Sequence, residues 1–533
     1  MKMKKKSILF CLLTSALISG AAVTFFEYLG SLIWVGMIPL FAALSELCKK
    51  DGLKLRHAYA YGLFYFELFY SVCFHWFTEL YPLDFTGLNN FTSILVVIIA
   101  WFGLSFLQAL FGALTFVAFI AILRSSLLKK APAMSIFTYP VIYSFYEYTQ
   151  TLGWWGVPWG RVPIALVERS PSVHLSSLLG SYFVTFLILT VNSLIFTAIF
   201  VIKDVKKTKI CAICALSVYL SATVFGGAIM LAATARSSEA EEIRVGIVQG
   251  NFDSTEKWTG LPIEILEKHI YYIEECAKEG AELVVLCETS LPYGLEQRTL
   301  HVEMLSNTAK KYGITLLVGA IEFDGDKEYN SIYQFLPDGT LNDETYRKRH
   351  LVPFGEYVPM RSFIDAVIPF MSEISMLEDD MSPGESTALF KTDKATVGSL
   401  ICFDSIYEVL AISSVRDGAD LLAISTNDSW FGDSRAAYMH KAQAQLRSIE
   451  LSRFTVRSAN TGISCVISNT GAVDGTIPLL EEGYEVLSAK KDGSRTLYSY
   501  IGNLFVYICG ASLLAPLVYK MVDIAIKKHA KGK

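Results

Sequence analysis

Eight apolar runs decide what this 533-residue chain can become. They lie at roughly 7–26, 28–47, 58–78, 92–123, 133–150, 173–202, 210–234 and 498–522, with few or no charges, each near the ~20 residues that cross a bilayer core. The reading is a multi-pass bundle of about eight transmembrane helices. The first run follows a lysine-rich start and precedes a small-residue stretch at Ser19–Ala22, so a cleaved signal peptide is the alternative there. Composition agrees with a membrane chain, with 52% hydrophobic and only 18% charged residues.

The connections between runs alternate in charge. Lysine and arginine crowd the N-terminus, the stretch holding Lys49, Lys50, Lys54 and Arg56, the stretch with Arg124, Lys129 and Lys130, the one at Lys203–Lys209, and the C-terminal tail. The connection 79–91 has none, and 151–172 has only Arg161 and Arg169. Basic loops stay on the cytoplasmic side. Eight crossings from an inside start then place a domain over residues 236–497 on the extracytoplasmic face of the cytoplasmic membrane. Residues 1–235 hold about seven helices, and 498–533 hold the last helix and a basic tail. The net charge of −5 gives no sign of nucleic-acid binding. The aromatic-rich connections with Trp76, Trp154, Trp155 and Trp159 suit interfacial anchors, and Glu147, inside an apolar run, is expected to be paired or cavity-facing.

From Ile243 the pattern changes to short β-branched runs alternating with amphipathic stretches, the mark of α/β organisation. Several strands end in polar loops. One ends at Glu288-Thr-Ser-Leu-Pro292, another at Cys402-Phe-Asp404, and a third at Asn427-Asp-Ser-Trp-Phe-Gly432. A proline- and glycine-braced loop runs from Tyr346 through Lys348 and Glu356 to Pro359. Ligands of α/β sheets bind at such strand ends.

Free cysteine most often packs as a small buried hydrophobe, and Cys402 alone is no exception. A nucleophilic thiol needs a base or a neighbouring cation, and its sequence neighbours include no histidine. Glu288, ending a buried strand, suits the base with a raised pKa; Lys348 suits the charge that steadies thiolate and oxyanion. Cys276, Cys287, Cys402 and Cys465 read as free thiols. The eight histidines show no metal-ligand spacing, so neither metal nor cofactor is expected.

The motifs Glu-Thr-Ser-Leu-Pro, Lys-Arg-His-Leu-Val-Pro-Phe-Gly-Glu-Tyr-Val-Pro, Ile-Cys-Phe-Asp and Asn-Asp-Ser-Trp-Phe-Gly stand here in the order of the nitrilase superfamily. With the surrounding apolar runs, the whole chain resembles its membrane-embedded branch, the bacterial apolipoprotein N-acyltransferases. The resemblance implies a four-layer α-β-β-α sandwich on a helical bundle and a triad of Glu288 as base, Lys348 as thiolate and oxyanion stabiliser, and Cys402 as nucleophile. Glu356 takes the place of a supporting carboxylate, and Trp258 and Trp430 that of aromatics at the substrate entry. Phe403 and Asp404 stand where the family carries Tyr-Glu, a departure that shortens the acid by one methylene. The implied reaction is ping-pong. Cys402 takes an acyl chain from a phospholipid, the sn-1 chain of phosphatidylethanolamine, as a thioester, and passes it to the α-amine of a diacylglyceryl-cysteine at an apolipoprotein N-terminus. A membrane-tethered nitrilase-type amidase acting on small C–N substrates would use the same triad, but would have no use for the helices.

Overall fold

Strand-forming runs from Glu242 to Lys490 pair into two sheets. In the computed structural model, which describes residues 4–50, 52–83, 87–367 and 379–531, the first sheet holds β1 (Glu242–Gln249), β2 (Leu283–Val285), β3 (Leu291–Gly294), β4 (Thr315–Asp324), β5 (Lys327–Phe335) and β6 (Tyr346–Arg347). The second holds β7 (Leu389–Lys391), β8 (Thr396–Ile401), β9 (Leu421–Thr426), β10 (Phe454–Ala459), β11 (Ser464–Ile467) and β12 (Val473–Ile477). A last strand, β13 (Gly483–Lys490), returns to the first sheet beside β1. The orders are β13-β1-β2-β4-β5-β6, with β3 on β4, and β12-β11-β10-β9-β8-β7. Parallel pairs β1·β2, β2·β4, β8·β9 and β9·β10 form the centres.

Successive side chains of a strand point to opposite faces, and the short β2 shows what that does. Leu283 and Val285 enter a core shared with Val397 and Ile401 of β8, Leu421 and Ala423 of β9, and Val456 of β10. Val284 between them packs on the other side with Leu266, Ile273, Leu305 and Ala309, from helices Pro262–Lys278 and Thr299–Tyr312. Helices Glu408–Asp417 and Arg435–Leu451 cover the second sheet. The result is α-β-β-α, with both sheets buried on both faces, and this explains why the central strands are almost wholly apolar.

The chain divides into two compact units. One comprises Met1–His75, Ile98–Met230 and Ile501–Lys533; the other comprises Trp76–Val97 and Leu231–Tyr500 and contains both sheets. Five helical spans are long and apolar enough to cross a membrane: Lys5–Thr24, Phe26–Cys48, Asn90–Leu123, Ser181–Val201 and Val205–Ser238. A sixth counts if the bent pair Leu504–Ser512 and Ala515–Ile526 is one span. The eight expected are therefore five or six by this measure, among the described residues. The other two runs are helical but fall short for physical reasons. Helix Leu55–Cys73 carries Arg56, His57, Glu67 and four tyrosines, which lower its hydropathy. Helix Ser135–Thr149 has 15 residues with Pro140 inside it, about 22 Å at 1.5 Å per residue against a core of about 30 Å.

Small residues let the first unit's helices approach. A Cβ on Gly62 would stand 2.9 Å from the Ala113 Cα, the close contact that glycine permits between membrane helices. Several polar groups inside this unit are paired. Glu147 accepts from the Val162 N–H at 2.8 Å and from the Thr185 hydroxyl at 2.5 Å. Tyr70 and Tyr146 hydroxyls lie 2.9 Å apart, and the Gln150 amide donates to Tyr70. Trp159 is buried rather than placed at a surface, which removes it from the expected interfacial anchors.

Candidate active site

The centre of the site is a buried lysine held by two acids. Lys348 follows the short β6 and is 1% exposed; its Nζ donates to Glu288 Oε1 at 2.8 Å and Glu356 Oε1 at 2.9 Å. The amide of Asn330, on β5, donates to the same two oxygens at 2.8 and 3.0 Å. The Val352 N–H donates to Glu356 Oε2 at 2.8 Å, so the braced loop holds its own acid. Three residues predicted from two separate stretches thus meet in one hydrogen-bonded cluster.

Cys402 sits where β8 passes into the 3-10 turn Cys402–Ile406, with φ of +46°. Thr289, just past Glu288, has φ of +42°. Left-handed backbone is costly for residues with a Cβ and persists where the surroundings impose it. Burial pushes the Cys402 thiol up, the Glu288 carboxylate pushes it further, and the Lys348 ammonium pulls it back, leaving it well above the ordinary thiol range. For Glu288, burial opposes ionisation, but Lys348, Lys257 and the Asn330 amide outweigh it and hold the carboxyl below its usual range. The expected raised pKa is thereby corrected: Lys348 at 2.8 Å is the reason. Lys348 itself is destabilised by burial yet held well above its usual range by Glu288, Glu356 and Cys402. At neutral pH the set is a protonated thiol beside an ionised carboxylate and an ammonium, a separation of acid and base by environment.

Phe403 and Asp404 do different work. Asp404 is fully buried and accepts from the Tyr346 hydroxyl at 2.8 Å, the His350 N–H at 2.7 Å and the Ile401 N–H at 3.1 Å. It ties the cysteine turn to the lysine loop. Phe403 packs edge-on to Tyr407, whose ring stacks on His350 at 3.6 Å. Trp258 and Trp430 are 53% and 46% exposed, on the short helices Ser254–Thr259 and Ser429–Phe431.

Four further residues escaped the sequence. Lys257, next to Trp258, is buried, and its Nζ donates to the Glu288 carbonyl at 2.8 Å and the Thr289 hydroxyl at 2.7 Å. It adds a second cation against two carboxylates. Asp428, His440 and Arg457 form a buried relay: Arg457 Nη2 to Asp428 Oδ2 at 2.6 Å, and Asp428 Oδ1 to His440 Nδ1 at 2.8 Å. An arginine inside the apolar strand β10 was the available signal, because a buried charge is almost always paired. Single ligand atoms of Cys402, Asp428 and His440 fall within 4.8 Å of one another. A metal would need the carboxylate that Arg457 already holds and would meet the guanidinium's charge, so the donor set suits hydrogen bonding better than a cation. All four cysteines of the sandwich are free.

A buried cysteine, glutamate and lysine on an α-β-β-α sandwich, in a chain with several apolar spans, define a membrane-associated enzyme of the carbon–nitrogen hydrolase class. The carbon–nitrogen hydrolase family model matches residues 244–496, and the model of the apolipoprotein N-acyltransferase N-terminal domain matches residues 15–194. The apolipoprotein N-acyltransferase of Geobacter metallireducens is 28% identical over 73% of this chain and 75% of its own length. That of Pasteurella multocida is 26% identical over 97% of this chain and 96% of its own. Among solved structures, Saccharomyces cerevisiae Nit3, a member of branch 10 of the nitrilase superfamily, is 23% identical with a TM-score of 0.37, covering 50% of this chain and 94% of that one. Across both matched regions the chain is similar to apolipoprotein N-acyltransferases, and it is an acyltransferase.

Proposed function

We propose that this enzyme moves an acyl chain from a phospholipid to the α-amine of an N-terminal diacylglyceryl-cysteine through a thioester on Cys402. The single observation that carries the mechanism is the Glu288–Lys348–Glu356 cluster beside a protonated thiol. Glu288 takes the S–H proton as Sγ attacks the ester carbonyl. Lys348 balances the negative charge, first on sulfur and then on the carbonyl oxygen. The tetrahedral adduct collapses, the C–O bond breaks, and Glu288 returns its proton to the departing lysophospholipid oxygen. The amine then attacks the thioester and gives a proton to Glu288. Collapse forms the amide and releases the sulfur, which regains the proton.

Both substrates are anchored in lipid, which accounts for a hydrolase-type domain carried on apolar spans. The catalytic domain, residues 236–497, is on the extracytoplasmic face of the cytoplasmic membrane; the alternation of basic connections supports this orientation. Glu356 supports Lys348, and Trp258 and Trp430 border the entry for the acyl chains, a role suited to large exposed rings.

The test is trapping. Full-length enzyme incubated with acyl-labelled phosphatidylethanolamine is expected to accumulate a hydroxylamine-sensitive label, and Cys402→Ala to accumulate none. Label retained by the variant, or ammonia released from small amides with a diacylated lipopeptide left unmodified, overturns the reading.

A further inference from the structure

Close to the nucleophile lies a chain of groups that the proposed acyl transfer does not use. Arg457, Asp428 and His440 are all buried and come from three different elements: β10, the loop after β9, and the helix Arg435–Leu451. The relay ends on the main chain of Cys402. His440 Nε2 lies 3.2 Å from the Cys402 carbonyl oxygen and 3.1 Å from the Ser405 hydroxyl, which itself donates to that carbonyl at 2.7 Å. Thr426 adds a hydroxyl to Asp428 Oδ1 at 3.1 Å.

We infer that His440, oriented by Asp428 and Arg457, is a positioning residue for Cys402 that grips its carbonyl and so fixes the left-handed turn on which the thiol is carried. This rests on Cys402 being the nucleophile. The argument is geometric. Asp428 is an acceptor held on its other oxygen by the Arg457 guanidinium, so His440 Nδ1 faces it as a donor and the ring has one orientation. Nε2 is then directed at the Cys402 carbonyl oxygen, which only accepts, so the ring grips both acceptors as the two-donor imidazolium, its charge balanced by the Asp428 carboxylate. The peptide joining Cys402 to Phe403 is planar; once its carbonyl is fixed, the Phe403 N–H is aimed the opposite way and the Cys402 φ of +46° is held. Cysteine has no intrinsic preference for that φ. Strain at a nucleophile persists only where surrounding groups over-determine it, and the described relay supplies that determination from residues 426 to 457.

The same geometry separates a positioning role from a structural one. Asparagine places an amide near the Nδ1 position, and glutamine near the Nε2 position. His440→Asn therefore keeps the bond to Asp428 and loses the grip on Cys402, whereas His440→Gln does the reverse. The experiment measures, per folded full-length enzyme in detergent, the rate of Cys402 alkylation by iodoacetamide and the single-turnover rate of acyl-enzyme formation. His440→Asn is expected to lower both by about 100-fold, the usual effect of displacing a reacting group by about 1 Å, with half-saturation by phospholipid unchanged. His440→Gln is expected to recover most of the loss. The reverse ranking, or equal rates in both variants, overturns the inference. Asp428→Asn, of the same volume, gives a second measure should the histidine variants not fold: slower alkylation supports the relay, and an unchanged rate overturns it. Alkylation reads the thiol without acyl transfer. A wild type that alkylates but forms no acyl-enzyme would therefore count against the proposed function, and not against the grip.

Discussion

Glu288 Oε1 and Glu356 Oε1 are held by the same two donors, Lys348 Nζ and Asn330 Nδ2, at 2.8 to 3.0 Å. Two carboxylates so placed share one ammonium, and each sets the other's charge environment. Their chemistry cannot be altered one at a time.

Glu356→Gln tests this sharing. The substitution removes a negative charge from beside Lys348, which then serves Glu288 alone, making Glu288 a weaker base. Single-turnover acylation is expected to fall by about 10- to 100-fold while half-saturation by phospholipid stays put. Because a hydrogen bond to a charged group is weakened, stability should drop by about 2 kcal/mol, read as a lower midpoint in a thermal melt.

The pH profile of acylation follows from Glu288. Burial works against its ionised form but Lys348 prevails, so its folded pKa lies below the ordinary glutamate value. The base is therefore ionised through neutrality, and the acid limb of acylation should begin only below about pH 4.3. Its stabilising contribution is present above that value and is lost as pH falls through the folded pKa. An acid limb centred near pH 6 would contradict the assignment of Glu288 as the base.

Asp404 has the opposite sign. Burial raises it to about 6, against the lowering effects of Lys348 and its hydrogen-bond donors. The native state then binds more protons than the unfolded chain between about pH 4 and 6, so stability falls as pH rises through that window and levels off above it. A shift of about two units corresponds to about 3 kcal/mol. Asp404→Asn should flatten this slope in denaturant titrations. Asp404→Glu, which restores the family's residue type, adds a methylene to a fully buried position and should cost about 1–3 kcal/mol.

Lys257→Met asks whether the second cation matters. It leaves the Glu288 carbonyl and the Thr289 hydroxyl without their donor, at a cost of about 1–3 kcal/mol in thermal stability. It also removes a positive charge facing Cys402, so the thiol should alkylate more slowly at neutral pH, with a steeper rise toward high pH.

What the sequence displayed and what it hid divide along one physical line. Glu288, Lys348, Glu356 and Cys402 each end a strand or sit in a braced loop, so local patterning exposed them. His440 is four helical positions past Ala436 on a helix buried along most of its length, with alanines, glutamines, leucines, an arginine and a glutamate among its buried members, and nothing local marks it; only the fold sets it near Cys402. The raised pKa expected of Glu288 failed for the same reason, since burial is legible in an apolar run but a lysine sixty residues away is not. The two-sheet α/β pattern was readable from β-branched runs. The count of spans was less so, because the apolar run around Pro140 yields a helix of only 15 residues and the one at Leu55–Cys73 is diluted by charges and tyrosines.

Strands β1 and β13 lie antiparallel, with Glu242 opposite Lys490, so the sandwich begins and ends at one place. A segment of some 250 residues whose ends already touch asks almost nothing of the chain on either side. Seen from the flanking helices it is a long loop that has been closed in advance, and closure entropy grows only slowly with loop length. Such a module is portable: it can be inserted, excised or given new ends without unpicking its sheets. The acyl-transfer chemistry and the apolar spans therefore need not have arisen together.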